Sequence, residues 1–396
     1  MIHKRNVCII KFAPATGRFK VNPRLLQLLS ILNAIKTVKR TFLISGYNFR
    51  LNDEKIVLID ITRKTKTRPT DSIFLRLINY LVYQILTLVA FLRISRRVHI
   101  VIFFQSESIS TAIFCKLLNK KIIQYVGGSG FESLYYQVQA IKRLKRLLSK
   151  VLPYILLLAE NIMCSLADKI VVVSNVAFED QRINMYKSKT TLTTKFVATH
   201  FNLQKGIEKR ENIVGFVGRF EAEKGILEFA EAISLVFDEM HVDKTKFLVI
   251  GDGSLKEEIA LRLSRYASSD KVRLLRTLPH DEIPKYLNEM KLLVVPSHTE
   301  GLPSIVLEAM ACGTPVLASP VGAIPDVVIE GKTGFLLKST KPQHIAEKVV
   351  ELVGNRGLLE RVSEEAYKFV RKEFCFEKTL ESWRSILKES NIHTRQ

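Results

Sequence analysis

The sequence predicts an α/β protein of two domains, each built on a doubly wound parallel sheet. With 396 residues the chain exceeds what one hydrophobic core normally holds, since domains usually contain about 100–200 residues. Short apolar runs alternate with longer helical stretches in both halves, a pattern typical of βαβ units. The composition, 47% hydrophobic and 25% charged, is that of globular proteins and argues against a disordered or polytopic membrane protein.

In the first half, apolar runs predict strands that alternate with helices. The first run, at 7–10, enters a loop that contains Gly17, and further buried strands are expected at 56–59 and 100–104. The stretch 167–175 reads as the end of a helix, a strand and a polar turn. It is therefore predicted to hold the last strand of the first domain.

A polar stretch at 204–212 predicts the linker between the domains. We therefore divide the chain into a first domain of residues 1–205 and a second domain of residues 206–377. The final helix, at about 378–396, is expected to pack back on the first domain, and Trp383 is the only tryptophan in the chain.

The second half has the more regular alternation. Strands are expected at 213–217, 246–250, 272–275, 292–295 and 315–318, with helices near 225–240, 254–268, 281–290 and 303–312. This order predicts a doubly wound sheet whose ligand site lies at the carboxyl edge of the strands.

The positive charge is confined to the first half. Residues 1–205 contain 33 Lys and Arg against 10 Asp and Glu, a net charge of +23, whereas residues 206–396 contain 27 against 29. An excess of this size predicts that the first domain meets a polyanion, and nucleic acid and anionic lipid are the candidates.

The five cysteines lie far apart with no CxxC pair, so the sequence predicts neither a zinc site nor a disulfide framework. The first 30 residues are basic and lack an apolar stretch long enough for a signal-peptide core. We therefore expect a cytoplasmic protein. None of the eight histidines forms a ligand pair by spacing, and His280 and His298 are expected to be bystanders.

Two helical segments predict contact with an anionic membrane surface. Residues 77–92 are uncharged, but 16 residues are short of the roughly 20 that span a bilayer, so a buried core helix and an interfacial helix both remain open. Residues 141–159 begin with alternating basic and apolar side chains, which fits a basic amphipathic helix or a solvated run of charge. We expect peripheral association with the cytoplasmic face of a membrane through 76–97 and 141–159. Nucleic acid is not expected as a partner, because the basic residues are interleaved with leucines rather than base-stacking aromatics.

One candidate site lies in the segment EGLPSIVLE, which runs from Glu300 to Glu308. Pro303 suits the first turn of a helix, and Gly313 suits its end. This places Glu300 on the loop after a strand and Glu308 about a turn and a half into the helix, where a carboxylate can accept hydrogen bonds from vicinal sugar hydroxyls.

The start of the same helix predicts an anion site. Unpaired backbone amides at a helix N-terminus carry partial positive charge and favour a group such as a diphosphate. The amides expected there are those of Gly301, Leu302, Ser304 and Ile305.

A second candidate segment, GRFEAEKG at 218–225, follows the first strand of the second domain. It places Arg219 and Lys224 on a loop at the carboxyl edge of the sheet. Two cations there can stabilise the charge on a departing diphosphate without a metal. Ordinary surface charges are the alternative for this pair.

Together these segments resemble glycosyltransferase family 4, the retaining enzymes with the GT-B architecture of two Rossmann-like domains facing a cleft. The similar segments are GRFEAEKG (218–225), VIGDGSLKEEI (249–259), VVPSHTEGLPSIVLEAMACGTPVLAS (294–319), VGAIPDVVIEGKTGFLL (321–337) and, upstream, ADKIVVVSN (167–175). They occur in order over roughly residues 165–340.

The resemblance implies catalytic roles for three residues, with Arg219 and Lys224 gripping the donor pyrophosphate and Glu300 contacting the transferred sugar. It further implies that Glu308 holds the ribose. The remaining implied donor-binding residues are Gly17, Gly218, Thr277, Leu278, Gly301, Leu302, Ser304 and Ile305, and the acceptor-side loop contains Gly127, Gly128 and Ser129.

The activity implied by the resemblance is metal-independent, cofactor-free transfer of a hexose, with retention, from a UDP- or GDP-linked sugar. The acceptor would be a lipid-linked or glycan acceptor of cell-envelope glycan biosynthesis. The acceptor loop at 124–130 has glycines but no histidine, where family members often carry one beside a glycine. A catalytically silent subunit that binds the sugar nucleotide in a glycan-assembly complex is therefore the alternative.

Overall fold

The computed structural model describes residues 5–11, 23–45, 53–61, 73–104, 108–126, 146–174, 181–240, 244–267 and 270–390. These residues form two parallel sheets flanked by helices, so the predicted α/β class is confirmed.

The first domain contains a seven-stranded parallel sheet in the order β3-β2-β1-β4-β5-β6-β7. Its strands are β1 (Arg5–Lys11), β2 (Val38–Ser45), β3 (Ile56–Asp60), β4 (Ile100–Phe104), β5 (Lys121–Val126), β6 (Lys169–Val172) and β7 (Thr190–Leu192). Its helices are α1 (Pro23–Ala34), α2 (Ile73–Ile94), α3 (Ile109–Leu117), α4 (Arg146–Leu166) and the short α5 (Gln181–Asn184). All five side chains of β4 are buried, as expected for a parallel strand covered on both faces.

Three strands of this sheet differ from the sequence-based expectation. Strand β5 was not predicted, because Lys121 and Gln124 interrupt its apolar run. Strand β2 was not predicted, because Lys39 and Arg40 interrupt its apolar run and point to solvent near its start. The last strand is β7 and not the one within 167–175. Strand β7 is a three-residue edge strand without a fully buried side chain, so it lacks the apolar run that marks a core strand.

The second domain contains a six-stranded parallel sheet in the order β10-β9-β8-β11-β12-β13. Its strands are β8 (Ile213–Val217), β9 (Lys246–Ile250), β10 (Val272–Leu275), β11 (Leu292–Val295), β12 (Val316–Ala318) and β13 (Phe335–Leu336). Its helices are α6 (Ile226–Asp238), α7 (Lys256–Ala267), α8 (Ile283–Glu289), α9 (Ser304–Ala311), α10 (Pro342–Gly354) and α11 (Arg356–Glu373). The five expected strands are present, and the two-residue β13 was not predicted.

Each sheet reverses its strand order beside its first strand, between β1 and β4 and between β8 and β11. Such switch points create a crevice at the carboxyl ends of the strands. In the second domain the loops that border this crevice begin at Gly218 and Pro296.

The last described helix, α12 (Phe376–Glu389), lies against the first domain. Trp383 is buried, and its ring stacks on Tyr125 of β5 at a centroid distance of 6.2 Å. Thr379 Oγ1 lies 3.1 Å from Thr194 Oγ1. The chain therefore crosses back from the second domain and closes over the carboxyl side of the first sheet's core.

The polar stretch 204–212 is not a freely solvated linker, because Arg210 is buried. Its guanidinium donates to the carbonyls of Leu287 at 3.1 Å, Met290 at 2.8 Å and Cys312 at 2.7 Å. These carbonyls lie at the C-terminal ends of α8 and α9, where a cation offsets the partial negative charge of the helix. Arg210 thereby anchors the connection to the second domain.

Candidate functional site

A cleft of about 460 Å³ opens at the switch point between β8 and β11. The structure brings together around it most of the residues that the sequence proposed for the donor site. Those that line it are Gly218, Arg219, Lys224, Thr277, Leu278, Glu300, Ser304, Ile305 and Glu308. Three segments that lie more than 20 residues apart in sequence therefore share one hollow.

The two loops that follow β8 and β11 meet through Lys224 and Glu300. Lys224 Nζ donates to Glu300 Oε1 at 2.6 Å, and Ser297 Oγ donates to the same oxygen at 2.9 Å. Both charged side chains are largely buried, with 18% and 10% of their surface exposed. At this depth the pair is weakly screened by solvent, so the cation fixes the direction of the carboxylate.

Arg219 lies at the rim of the cleft, with 55% of its side chain exposed. Its Nη2 donates to Glu223 Oε1 at 2.8 Å, and Glu223 is buried. The carbonyl of Glu223 in turn accepts from the His298 amide at 2.9 Å. The guanidinium is thus tethered at one nitrogen to a carboxylate that the opposite loop holds in place.

Two glycines allow the loops to approach closely. Gly225 has φ +66°, and a Cβ there would lie 2.0 Å from the Pro296 carbonyl oxygen. Gly322 has φ +54°, and a Cβ there would lie 1.9 Å from the Glu300 carbonyl oxygen. Only glycine combines this backbone conformation with such close contact. These residues hold the site in shape, although they are not among the predicted site residues.

Helix α9 begins at Ser304 at the edge of the cleft. Pro303 is its N-cap, one position before the helical turn predicted for it, and no side chain among the described residues caps the helix. Ser304 and Ile305 line the cleft, whereas Gly301 and Leu302 do not. Because the first amides of a helix have no intrahelical acceptor, the first turn of α9 brings partial positive charge to the cleft.

Glu308, one turn further along α9, is buried and accepts a hydrogen bond from His280 Nε2 at 2.9 Å. This hydrogen bond raises the pKa of His280 above its ordinary value. His280 also lines the cleft, so it is not a bystander there. His298 is likewise engaged, since its Nε2 lies 2.9 Å from Glu228 Oε1, and this contact raises the pKa of His298.

The first domain contributes two cations that the sequence did not point to. Arg24 on α1 lines the cleft, and its Nη2 donates to the Leu302 carbonyl at 3.2 Å. Lys195 Nζ donates to the same carbonyl, and its side chain is buried. Neither residue lies in a motif, and only the packing of the two domains brings them to this loop.

Several expectations lie outside the described residues. These are Gly17, and the expected acceptor-side residues Gly127, Gly128 and Ser129. Within the described ranges, no cluster of three or more His, Cys, Asp or Glu side chains is arranged to hold a metal ion.

A second feature is an exposed apolar face on the first domain, made by α2, α3 and α4. These helices bury their inner sides in one core cluster on a single face of the sheet. Their outer sides expose large apolar side chains. On α2 these are Ile78, Leu81, Ile85, Val89 and Leu92; on and just after α3 they are Ile113, Phe114, Leu117 and Leu118; on α4 they are Tyr154, Ile155 and Leu158.

The helix that contains the predicted apolar stretch 77–92 therefore has one buried side and one exposed side. Ile78–Arg97 is long and apolar enough to span a membrane by length and composition. However, Tyr83 and Phe91 are buried against the sheet, so α2 is a core helix whose outer stripe is exposed. Of the segment 141–159, residues 141–145 lie outside the described residues, and helix α4 begins at 146.

Comparison with known proteins supports the resemblance found in the motifs. Residues 199–369 match the family described as "Glycosyl transferases group 1". An uncharacterized glycosyltransferase of Methanocaldococcus jannaschii is 32% identical over 174 residues, which is 44% of this chain and 47% of that protein. The capsular polysaccharide biosynthesis glycosyltransferase CapM of Staphylococcus aureus is 29% identical over 230 residues, or 56% of this chain and 60% of CapM. The chain thus spans about half the length of the curated relatives it matches.

Solved structures resemble the whole chain. Sucrose-phosphate synthase of Thermosynechococcus elongatus superposes with a TM-score of 0.76 at 17% identity, covering 98% of this chain and 99% of that one. Anabaena HepE, solved in complex with UDP and glucose, superposes with a TM-score of 0.72 at 14% identity, covering 97% and 99%. At this identity the likeness concerns the fold, and it confirms the two-domain GT-B architecture.

Proposed function

Residues 199–369 belong to the glycosyl transferases group 1, and on this premise we propose that the protein is a retaining hexosyltransferase. It takes a hexose from a UDP- or GDP-linked sugar and passes it to a lipid-linked or glycan acceptor. The observation that carries the proposal is the convergence of Arg219, Lys224, Glu300 and Glu308 on one cleft beside the first turn of α9. Two cations and two carboxylates around a helix N-terminus suit a molecule with a diphosphate in its middle.

In this proposal Arg219, Lys224 and the first turn of α9 bind the diphosphate. Negative charge grows on its outer phosphate as the glycosidic bond breaks, and preorganised cations and amides lower the energy of that state. Among the described residues, the Arg219 guanidinium is tethered through a single nitrogen, so it keeps further donors for a phosphate. The proposal therefore assigns charge stabilisation to side chains and backbone rather than to a metal.

Glu300 is assigned to the transferred sugar and Glu308 to the ribose. Lys224 and Ser297 orient the Glu300 carboxylate, which leaves its other oxygen available to sugar hydroxyls. The donor's ribose would share or replace the hydrogen bond that His280 now makes to Glu308. The leaving phosphate itself takes the acceptor's proton on the same face of the sugar, which accounts for retention.

The nucleobase is assigned to the loop after β10. Thr277 and Leu278 follow β10, line the cleft and can meet a base through their backbone. The complex of HepE with UDP and glucose supports a uridine diphosphate sugar as a donor for this fold. GDP-linked sugars remain within the proposal.

We extend the proposal to the place of action, which is the cytoplasmic face of an anionic membrane. The exposed apolar face of α2, α3 and α4 lies on the same domain as the net charge of +23. Arg93, Arg96 and Arg97 are exposed where α2 ends. Apolar side chains flanked by cations are the combination that binds anionic bilayers at their interface. Docking there would bring the cleft between the domains to lipid-linked acceptors.

A binding screen followed by a matched pair of variants tests the proposed activity. UDP, GDP and their sugars are screened for a rise in melting temperature, because a ligand of the folded state stabilises it. Transfer from the donor that binds is then measured for Arg219→Ala and for Arg262→Ala. Both arginines are exposed and both pair with a glutamate at 2.8 Å, but Arg262 lies on α7 away from the cleft.

We expect Arg219→Ala to lower turnover by more than about tenfold, the loss that one charge-assisted contact in the transition state brings. The control Arg262→Ala should stay within about twofold of the parent. Near-normal transfer by Arg219→Ala would refute its role. Failure of UDP, GDP and all their sugars to raise the melting temperature would refute the proposed activity.

A further inference from the structure

The Leu302 carbonyl is the point where the first domain holds the donor loop. It accepts from Arg24 Nη2 at 3.2 Å and from Lys195 Nζ. Arg24 belongs to α1, and Lys195 lies in the crossover that follows β7. Both cations therefore reach this loop from outside the domain to which the loop belongs.

This carbonyl controls the geometry of the loop. Leu302 precedes Pro303, which has no N–H, and α9 begins at the next residue. Glu300 lies two positions upstream of Leu302. A hydrogen-bond donor held on the Leu302 oxygen therefore restrains both the Glu300 backbone and the first turn of α9.

Lys195 is in an unusual position for a cation. Its side chain is 5% exposed, and the Leu302 carbonyl is its only hydrogen-bond partner among the described residues. Burial lowers the pKa of its amine well below the usual value, and neighbouring Arg24 lowers it further, while Glu300 and Glu308 act in the opposite direction. A buried amine whose hydrogen-bond acceptor is a neutral carbonyl has no counterion there, so its protonated form is costly in the free protein.

Groups that favour an anion thus lie together on one side of the cleft. Arg24, Lys195 and the N-terminus of α9 all lie at the same loop, and the nearby carboxylates Glu300 and Glu308 are already engaged with Lys224 and His280. An anion entering the cleft would favour the protonated, positively charged form of Lys195. The arrangement in the free chain is therefore poised for a negatively charged ligand.

We propose that Lys195 is a positioning residue through which the first domain fixes the 300–303 loop and the first turn of α9 for the donor diphosphate. The inference rests on the proposed function, because it takes the diphosphate as the anion. Lys195 does not touch the reacting atoms; it acts through the Leu302 carbonyl. Arg24 on α1 lines the cleft and donates to the same carbonyl. Donor binding is then coupled to the relative position of the two domains.

The test compares Lys195→Met with Lys209→Met in two measurements. Methionine keeps the length and apolar stem of lysine but removes the donor and the charge. Lys209 is an exposed lysine on the same crossover, and among the described residues no hydrogen bond or ion pair joins it to the 300–303 loop. The first measurement is hydrogen exchange of the Ala323 amide in the ligand-free protein, because this buried amide donates to the Gly301 carbonyl of the loop at 2.9 Å. The second is the dissociation constant for UDP, or for GDP if that nucleotide binds better.

We expect Lys195→Met to speed exchange of the Ala323 amide at least fivefold and to weaken nucleotide binding by about tenfold, which is about 1.4 kcal/mol. Lys209→Met should leave the exchange rate and the dissociation constant within about twofold of the parent. If Lys195→Met unfolds, Arg24→Gln removes a hydrogen-bond donor from the same carbonyl and is expected to speed exchange of the same amide.

Unchanged exchange in Lys195→Met, or in Arg24→Gln when it replaces it, overturns the inference. Faster exchange with unchanged nucleotide affinity also overturns it, because the contact would then only stabilise the fold. If the parent protein binds neither UDP nor GDP, the proposed function fails separately, and the exchange comparison on the free chain still decides whether Lys195 positions the loop.

Discussion

Lys224 and Glu300 are each other's counterion at a largely buried position. Removing one of them should therefore destabilise the protein more than removing both. Lys224→Met leaves a carboxylate with little solvent, which is costly for a buried charge. We expect it to lower the free energy of unfolding by about 2–3 kcal/mol and turnover by at least about tenfold. The double variant Lys224→Met with Glu300→Gln should regain most of the stability and none of the turnover. Urea unfolding and a transfer assay measure the two effects.

Additive losses of stability in the double variant would contradict this account. In that case the two side chains would contribute independently and would not form a coupled pair. Glu300→Gln alone completes the comparison: its amide oxygen can still accept from Lys224 and Ser297, but the largely buried Lys224 ammonium loses its counterion.

His280 should make stability depend on pH near neutrality. Its hydrogen bond to Glu308 raises its folded-state pKa above 6.5, and Asp281 acts in the same direction, while burial opposes them. His200 also faces it, with a ring-centroid distance of 5.9 Å. A group whose pKa is raised by folding contributes stability that is fully present below its unfolded pKa and is lost as pH rises through the folded pKa.

We therefore compare the free energy of unfolding of the parent protein with that of His280→Asn. The parent should be the more stable, and its advantage should be larger at pH 5.5 than at pH 8.5. Urea unfolding of both proteins at a series of pH values checks this, because the other titrating groups largely cancel in the difference. A difference that is constant or that grows towards pH 8.5 would show that Glu308 does not stabilise the protonated imidazole.

At the level of single residues, the sequence identified those donor-side groups that lie in local motifs. Arg219 and Lys224 follow one strand and Glu300 follows another, and parallel strands bring their carboxyl ends to one edge. Lys195 and Arg24 were not predicted, because their shared contact with Leu302 depends on how two domains pack and leaves no local pattern. His280 was misjudged for the same reason, since Glu308 lies 28 residues away.

Among the elements, the interior strands that could be predicted are those that form a continuous apolar run, because a parallel strand is buried on both faces. The interior strands β2 and β5 were missed, because charged or polar residues interrupt their runs. Strand β4 is such a run, and so is β11, whose four side chains are all buried. The edge strands β7 and β13 have only two or three residues and were not predicted. Their pairing follows from the neighbouring strand rather than from their own composition.

The close approach of the loops around the cleft requires glycine at certain positions, and a pair of glycine variants can measure this requirement. Gly322 and Gly331 both have positive φ, +54° and +68°, but only a Cβ at 322 would collide with backbone, 1.9 Å from the Glu300 carbonyl oxygen. Gly331→Ala should be destabilised only by its backbone conformation, since no other atom lies within 4 Å of the added Cβ. We expect Gly322→Ala to be less stable than Gly331→Ala by about 2 kcal/mol and to lose more turnover, because the Glu300 loop must shift. Equal stabilities, measured by urea unfolding, would mean that this loop yields without cost.

For the molecule as a whole, charge and apolar surface are distributed unequally between the domains. The first domain carries the net charge of +23 and the three-helix apolar face, whereas the second is nearly neutral and carries the donor-binding charges. Composition gave the charge imbalance directly. The apolar face was only half predicted, because the contribution of α3 becomes visible only when Phe114 and Leu117 are seen beside α2 on the same side of the sheet.

This distribution leads to a prediction about membrane binding. Ile85 lies mid-way along the exposed stripe of α2 and is 62% exposed, so a charge there should leave the core intact and oppose insertion among acyl chains. We expect Ile85→Glu to reduce the fraction of protein that floats with anionic vesicles by about tenfold, since burying one such side chain is worth about 1.5–3 kcal/mol. Leu261→Glu is the matched control, because Leu261 is 77% exposed on α7 of the second domain. Equal flotation of the two variants would show that the apolar face does not enter the bilayer. If added salt abolishes vesicle binding while Ile85→Glu binds as well as the parent, the attraction comes from the charges of the first domain.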